Sequence, residues 1–91
     1  MLARFKELTE VLLPAKAREA HWPIRFDHCF KRICLDAAYG DCWYHHCAKP
    51  AERNIPPAAL ARAVSAAESI YKDGRPILNS LNVLSLGYRG K

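Results

Sequence analysis

Four polar side chains recur at helical spacing between residues 28 and 39: His28, Arg32, Asp36 and Tyr39. On a helix these positions form one stripe, so the four groups can act together. A histidine exchanges protons near neutral pH, an arginine binds an anion through two hydrogen bonds, and a carboxylate orients either group. The stripe predicts a site in which His28 is the acid or base, Arg32 holds a carboxylate or phosphate, and Asp36 orients them. The alternative is a surface ion pair between Arg32 and Asp36, which is common on helices.

All four cysteines and three of the four histidines lie between Arg25 and Cys47, a composition that suggests a metal site. The cysteine spacing, C-x4-C-x7-C-x4-C, differs from the paired C-x2–4-C arrangement of structural zinc sites. The side chains of Cys29 and Cys34 diverge by about 140° around a helix, so one metal ion could hardly bind both. We expect them to act as small apolar residues beside the core. We expect no cofactor. A zinc or iron site is the alternative, and its ligands would be Cys42, His45, His46 and Cys47.

Length and composition are typical of a single small globular domain. The chain has 91 residues, of which 51% are hydrophobic and 25% charged, and we expect residues 1–91 to form one domain. No apolar run approaches the ~20 residues that span a bilayer, and the first residues lack a signal-peptide cleavage site. We therefore expect a cytoplasmic protein without membrane association, with reduced cysteines. The net charge of +5 permits an anionic partner, although the basic residues form no dense run.

The elements that position the polar stripe are predicted to be helices, because no segment alternates with the two-residue period of a strand. The first helix covers residues 2–13, and Pro14 can open a second one that ends at residue 20. The stripe lies on a helix over residues 26–39, and Gly40 ends that helix. Its apolar face is predicted to consist of Phe26, Phe30, Ile33 and Ala37. Residues 42–47 form about one further turn, so the sequence predicts an all-α, compact bundle of four to five short helices.

Two longer helices are predicted after residue 56. One begins at Pro57 and ends at residues 73–74, and Pro76 can open the last. The apolar stripe of the last helix is predicted to consist of Ile77, Leu81, Leu84 and Tyr88. Val83 and Leu86 fall outside this stripe, so the helix is apolar on more than one side. We expect Val83 and Leu86 to contact a protein partner or a second copy of the chain.

The residues around the polar stripe resemble a pattern found in a group of small uncharacterised microbial proteins. The pattern reads HCFxRIxxD from His28, GxxW from Gly40 and LNxxSLxxR from Leu81, and the resemblance covers about two-thirds of the chain. It implies one polar cluster where the helix over residues 26–39 meets the last helix, formed by His28, Arg32, Asp36, Trp43, Asn82, Ser85 and Arg89. Some similar sequences carry an acetyltransferase-like label. This chain has no glycine-rich loop for the acetyl-CoA pyrophosphate.

Three functional hypotheses follow, and the sequence leaves open whether the protein is an enzyme. The first, which the charge favours, is a small basic helical binding module for an anionic partner, above all RNA or DNA. It rests on the excess of basic residues, on His28 and Arg32 of the stripe, and on Arg89 and Lys91 near the end of the sequence. The second is a small-molecule enzyme or ligand-binding protein that uses His28, Arg32 and Asp36, with binding residues Tyr39, Trp43, Asn82, Ser85 and Arg89. The third is a protein-interaction subunit or homodimer.

A buried Asn82 would need hydrogen-bond partners, for which Arg32 and Asp36 are candidates.

Overall fold

A computed structural model describes residues 1–90, and this part of the chain is all-α with no strand. The helices are α1 Leu2–Glu7, α2 Leu13–Ala20, α3 Asp27–Tyr39, α4 Ala51–Asn54, α5 Pro57–Asp73 and α6 Arg75–Tyr88. A π-helical turn, Leu8–Leu12, joins α1 to α2 without a break, and a 3-10 turn covers Trp43–His45. With α1, the π-helical turn and α2 counted as one continuous helix, five helices are described, which confirms the predicted bundle. None of them combines the length and the apolar character needed to cross a bilayer.

Several helix ends lie at the residues that the sequence predicts. Pro57 is the first residue of α5, a position where the missing N–H leaves no hydrogen bond unmade. Gly40 follows α3 with φ of 65°, the left-handed conformation that glycine adopts without strain. Pro14 lies in the first turn of α2, as predicted, but the π-helical turn keeps the chain helical up to that point. The π-helical turn and α4 carry no signal that the sequence analysis recognised.

Helix α3 is central and packs against α5, α6 and the π-helical turn. Its Phe30 and Ile33 are fully buried in a core that includes Phe5, Leu8, Leu13, Ala63, Ile70 and Leu78. Trp22 closes one end of this core, with its ring centroid 6.5 Å from that of Phe30. Each large apolar side chain that is fully buried contributes about 1.5–3 kcal/mol. Core packing therefore fixes α3, and with it the polar residues that α3 carries.

The apolar faces of α3 and α6 differ from the prediction. Phe26 precedes α3 and is 65% exposed instead of beginning the buried face. On α6, Leu84 was expected in the core but is 51% exposed, whereas Leu78 and Ser85 are fully buried. Helix α6 is therefore rotated relative to the predicted apolar stripe, and the rotation turns polar residues toward α3.

Candidate functional site

A buried carboxylate, Asp36, lies where α3 meets α6, and its side chain is fully inaccessible to solvent. Its Oδ1 accepts hydrogen bonds from the backbone N–H of Trp43 at 2.9 Å and from Nη2 of Arg89 at 3.1 Å. Its Oδ2 accepts hydrogen bonds from Nε of Arg89 at 2.9 Å and from the Ser85 hydroxyl at 2.6 Å. Arg89 thus binds both carboxylate oxygens, the geometry in which guanidinium–carboxylate pairs are strongest. The buried negative charge is fully paired.

Arg32 lies one helical turn before Asp36 but does not pair with it. Its Nη1 donates to Oγ of Ser85 at 2.6 Å, and its Nη2 donates to Oδ1 of Asn82 at 2.8 Å. Both acceptors are neutral, and within the described residues no carboxylate oxygen lies within 4.0 Å of this guanidinium. The positive charge of the Arg32 guanidinium is therefore not compensated by any described carboxylate. The surface ion pair considered above is therefore not formed, since Ser85 separates the two charged groups.

The residues that α6 presents to α3 are spaced three and four apart, so they share one helix face. They are Asn82, Ser85 and Arg89, and Arg89 is the first residue after the helix. Together with Arg32 and Asp36 they form what we call the α3–α6 polar cluster, which Trp43 joins through its backbone N–H. The hydrogen bonds from Arg89 to Asp36 raise the pKa of that guanidinium above its ordinary value, so the ion pair is kept.

His28 lies outside the α3–α6 polar cluster, although the stripe and the resemblance both place it there. Its side chain is 77% exposed, and its Nδ1 is 3.7 Å from a carboxylate oxygen of Asp27. The imidazole stacks on Phe26 with 5.7 Å between ring centroids. Two helical turns, about 12 Å, separate the backbone positions of His28 and Asp36. Asp36 therefore does not orient His28, because α6 covers only the middle of the stripe.

Tyr39 and the alternative metal ligands lie around the 3-10 turn, which adjoins the α3–α6 polar cluster at Trp43, but they form none of the hydrogen bonds of that cluster. The Tyr39 ring stacks on His46 at 5.3 Å, and its buried hydroxyl has no hydrogen-bond partner among the described nitrogen and oxygen atoms. His46 Nε2 is 2.9 Å from Oδ2 of Asp41. Among residues 1–90, no three His, Cys, Asp or Glu side chains are arranged to hold a metal ion. The alternative ligands considered from the sequence, Cys42, His45, His46 and Cys47, therefore form no such group.

A groove of about 490 Å³ opens beside the α3–α6 polar cluster, between α3 and the segment 43–52. We call it the Arg32 groove; its lining residues are His28, Lys31, Arg32, Leu35, Trp43, Lys49, Pro50, Ala51 and Glu52. Leu35 and Ala51 are buried, and the Trp43 side chain is half-buried. Four of the nine lining residues are apolar and five carry polar or charged groups, and concave sites that combine the two are typical of small-molecule binding.

The basic side chains of the Arg32 groove differ in what they contact. Lys31 Nζ is 2.6 Å from a carboxylate oxygen of Glu10 and 2.8 Å from one of Glu52, so its charge is neutralised. Lys49 is exposed, and its Nζ lies 4.5 Å from the centroid of the Tyr44 ring. Arg32 keeps its Nε–H and one hydrogen on each Nη without a described partner. These three donors can bind a carboxylate or a phosphate in the bidentate manner that guanidinium favours.

Sequence reasoning did not identify several residues of this site. Tyr44 accepts a hydrogen bond from Nη1 of Arg89 at 3.0 Å, and its ring centroid lies 4.9 Å from the guanidinium carbon of the same arginine. Leu35 follows Arg32 by three residues, so helical spacing alone could have placed it beside the stripe. Lys49 gives no such signal, because its position depends on how the irregular segment after the 3-10 turn folds back on α3.

No protein-family model, curated protein or solved structure matches this chain. The functional argument therefore rests on two features of the molecule, the α3–α6 polar cluster and the Arg32 groove.

Proposed function

We propose that the protein binds a small anion with an apolar body in the Arg32 groove. The observation that carries this proposal is the uncompensated charge of Arg32, whose bonded acceptors, Ser85 and Asn82, are both neutral. A half-buried cation is unfavourable unless an anion accompanies it. A ligand carboxylate or phosphate at the free N–H groups of Arg32 would supply the missing negative charge.

The apolar part of the ligand is suggested by the rest of the groove. Pro50 and the ring of Trp43, which lie in the lining with the mostly buried Leu35 and Ala51, offer a surface on which an aromatic or aliphatic group can be buried. Such burial contributes about 25 cal/mol per Å² of apolar area removed from water. Lys49 and His28 lie in the same lining and can add weaker attraction to the anion. Neither is a side-chain hydrogen-bond partner of Arg32, and both are exposed, so they are secondary to it in this proposal.

Nucleic-acid binding, which the basic composition predicts, remains a separate prediction. It requires several unpaired basic side chains along one surface, since affinity for a polynucleotide depends on the number of phosphates neutralised. Four of the thirteen lysines and arginines in residues 1–90 contact carboxylates, namely Arg4, Lys6, Lys31 and Arg89, so the ion pairs alone leave this prediction open. A small ligand needs only the one free guanidinium that the groove contains, so the geometry supports it better.

Nuclear magnetic resonance titration of the ¹⁵N-labelled protein tests the proposal. We expect benzoate to shift the Nε–H signal of Arg32 and the indole signal of Trp43 with a millimolar or tighter Kd. Acetate, which lacks an apolar body, should bind more weakly. Arg32→Gln should abolish the benzoate shifts. Arg18→Gln is the matched control, because Arg18 is exposed on α2 and outside the groove lining.

Two results would overturn small-anion binding. One is a titration in which Arg32→Gln and wild type bind benzoate equally well. The other is the absence of benzoate binding together with salt-sensitive binding of a single-stranded oligonucleotide, which would favour the nucleic-acid hypothesis instead.

A further inference from the structure

Two arginines and one carboxylate meet in the α3–α6 polar cluster, so one positive charge has no carboxylate to neutralise it. Arg89 occupies both oxygens of Asp36, with Nε to Oδ2 at 2.9 Å and Nη2 to Oδ1 at 3.1 Å. Arg32 is left with uncharged acceptors. The net charge of this group of side chains is therefore +1, and the surplus is located on the arginine that lines the groove.

Ser85 connects the two arginines to the same carboxylate. Its hydroxyl donates to Oδ2 of Asp36 and accepts from Nη1 of Arg32, each at 2.6 Å. Because both hydrogen bonds share the oxygen atom of Ser85, Oδ2 of Asp36 and Nη1 of Arg32 are at most roughly 5 Å apart. At this separation an unneutralised Asp36 would attract Arg32 strongly and would take the place of an external anion.

We infer that Arg89 is a positioning residue that keeps the Arg32 groove selective for a monoanion. Because Arg89 neutralises Asp36, the single positive charge of Arg32 remains available to a ligand. The ligand class is then a monocarboxylate with an apolar body. A dianionic phosphate monoester would be disfavoured, since Arg32 is the half-buried cation of the groove and the exposed Lys49 is screened by solvent, so the desolvation of two negative charges is not offset. This inference rests on the function proposed above, and Arg89 acts through Asp36 without touching the ligand.

Conservative variants change the charge next to Arg32 one step at a time. Arg89→Gln leaves the Asp36 carboxylate unneutralised, so Arg32 loses its surplus charge and benzoate affinity should fall at least about tenfold. Asp36→Asn leaves two uncompensated guanidinium groups, and the preference should shift from benzoate toward phenyl phosphate. The double variant, D36N/R89Q, has one surplus charge again. It should recover benzoate affinity to within about threefold of wild type.

Benzoate and phenyl phosphate titrations of the wild type and these three variants test the inference. Recovery of binding in the double variant is not expected from a merely structural role, because that protein lacks the whole ion pair. Should Arg89→Gln not fold, the comparison of D36N with D36N/R89Q removes the same Arg89 charge without a buried unpaired carboxylate. The preference for phenyl phosphate over benzoate should then be lost between those two proteins, because one of the two surplus charges is removed.

The outcomes separate the inference from the function on which it rests. Equal benzoate binding by wild type and Arg89→Gln, with binding lost in Arg32→Gln, would overturn the role of Arg89 alone. No recovery in a folded double variant would do the same. A wild-type protein that binds neither probe would overturn small-anion binding, and the inference with it.

Discussion

Replacement of Ser85 by alanine measures how much the α3–α6 polar cluster stabilises the fold. Ser85 is fully buried and forms two hydrogen bonds of 2.6 Å, one to Asp36 and one from Arg32. Alanine occupies nearly the same volume, so the substitution removes these hydrogen bonds without opening a sizeable cavity. Hydrogen bonds to charged groups contribute about 1.5–3 kcal/mol each, and these two share one oxygen. We therefore expect Ser85→Ala to lower the free energy of unfolding by about 2–4 kcal/mol.

Ser80→Ala is the matched control, because Ser80 lies exposed on the same helix and outside the polar cluster. Both variants gain about 0.5 kcal/mol of helix propensity, so their difference isolates the buried hydrogen bonds. Urea denaturation followed by circular dichroism gives the two free energies. In a thermal scan, the Tm of Ser85→Ala should fall by at least about 8 °C. A difference below about 0.5 kcal/mol between the variants would refute the reasoning, because Asp36 and Arg32 would then be satisfied without the hydroxyl.

Two further predictions concern titratable groups outside the polar cluster. Hydrogen bonds from His46 and from the backbone of Cys42 lower the pKa of Asp41 below its ordinary 3.8. The ionised Asp41 therefore stabilises the fold above pH 3.8, and this contribution is lost as the pH falls through the lower pKa of the folded state. In urea denaturation at a series of acidic pH values, the free energy of unfolding of Asp41→Asn should therefore fall less steeply with decreasing pH than that of the wild type. An unchanged acid limb would contradict this assignment. Burial raises the pKa of the Cys34 thiol to about 12, which suppresses the reactive thiolate. Iodoacetamide should modify the half-exposed Cys29 first, and peptide mass spectrometry that finds early labelling of Cys34 would contradict its burial.

Local signals were sufficient to predict α3 and the limits of α5. The helical period from residue 26 onward, together with Gly40, identified α3 to within one residue at its start. Pro57 and Gly74 marked the two ends of α5 because proline and glycine act directly on the backbone. These features depend on neighbours in the sequence, so a single chain contains enough information to place them.

The inward face of α6 could not be predicted in the same way. A helical wheel counts apolar residues, and by that count Leu84 belongs in the core. The buried Asp36 carboxylate requires hydrogen-bond donors, however, and Ser85 and Arg89 provide them only if α6 turns Leu84 toward solvent. Pairing a buried charge outweighs the burial of one leucine, which contributes about 1.5–3 kcal/mol.

The candidate site was predictable in part. The motif pattern named the residues that form the α3–α6 polar cluster, but it also included His28, which the structure places at the mouth of the groove. Spacing along a helix shows which residues share a face, but it does not show how far a neighbouring helix extends along that face. The groove itself depends on the irregular segment after the 3-10 turn, for which the sequence has no periodic signal.

The polar attachment of α6 has a consequence for the motions of the domain. Residues 76–88 contain no charged side chain, and Leu78 is the one large apolar side chain of α6 that is fully buried. Ile77 and Leu81 pack against the core but are only partly buried, and a segment with few fully buried apolar side chains opens locally at a lower free energy than the whole domain unfolds. Opening of α6 would take Ser85 and Arg89 away from α3 and dismantle the charge balance around Arg32. A ligand that binds only the closed form would therefore hold α6 in place by mass action. Ligand concentration would thus control how often α6 opens away from α3.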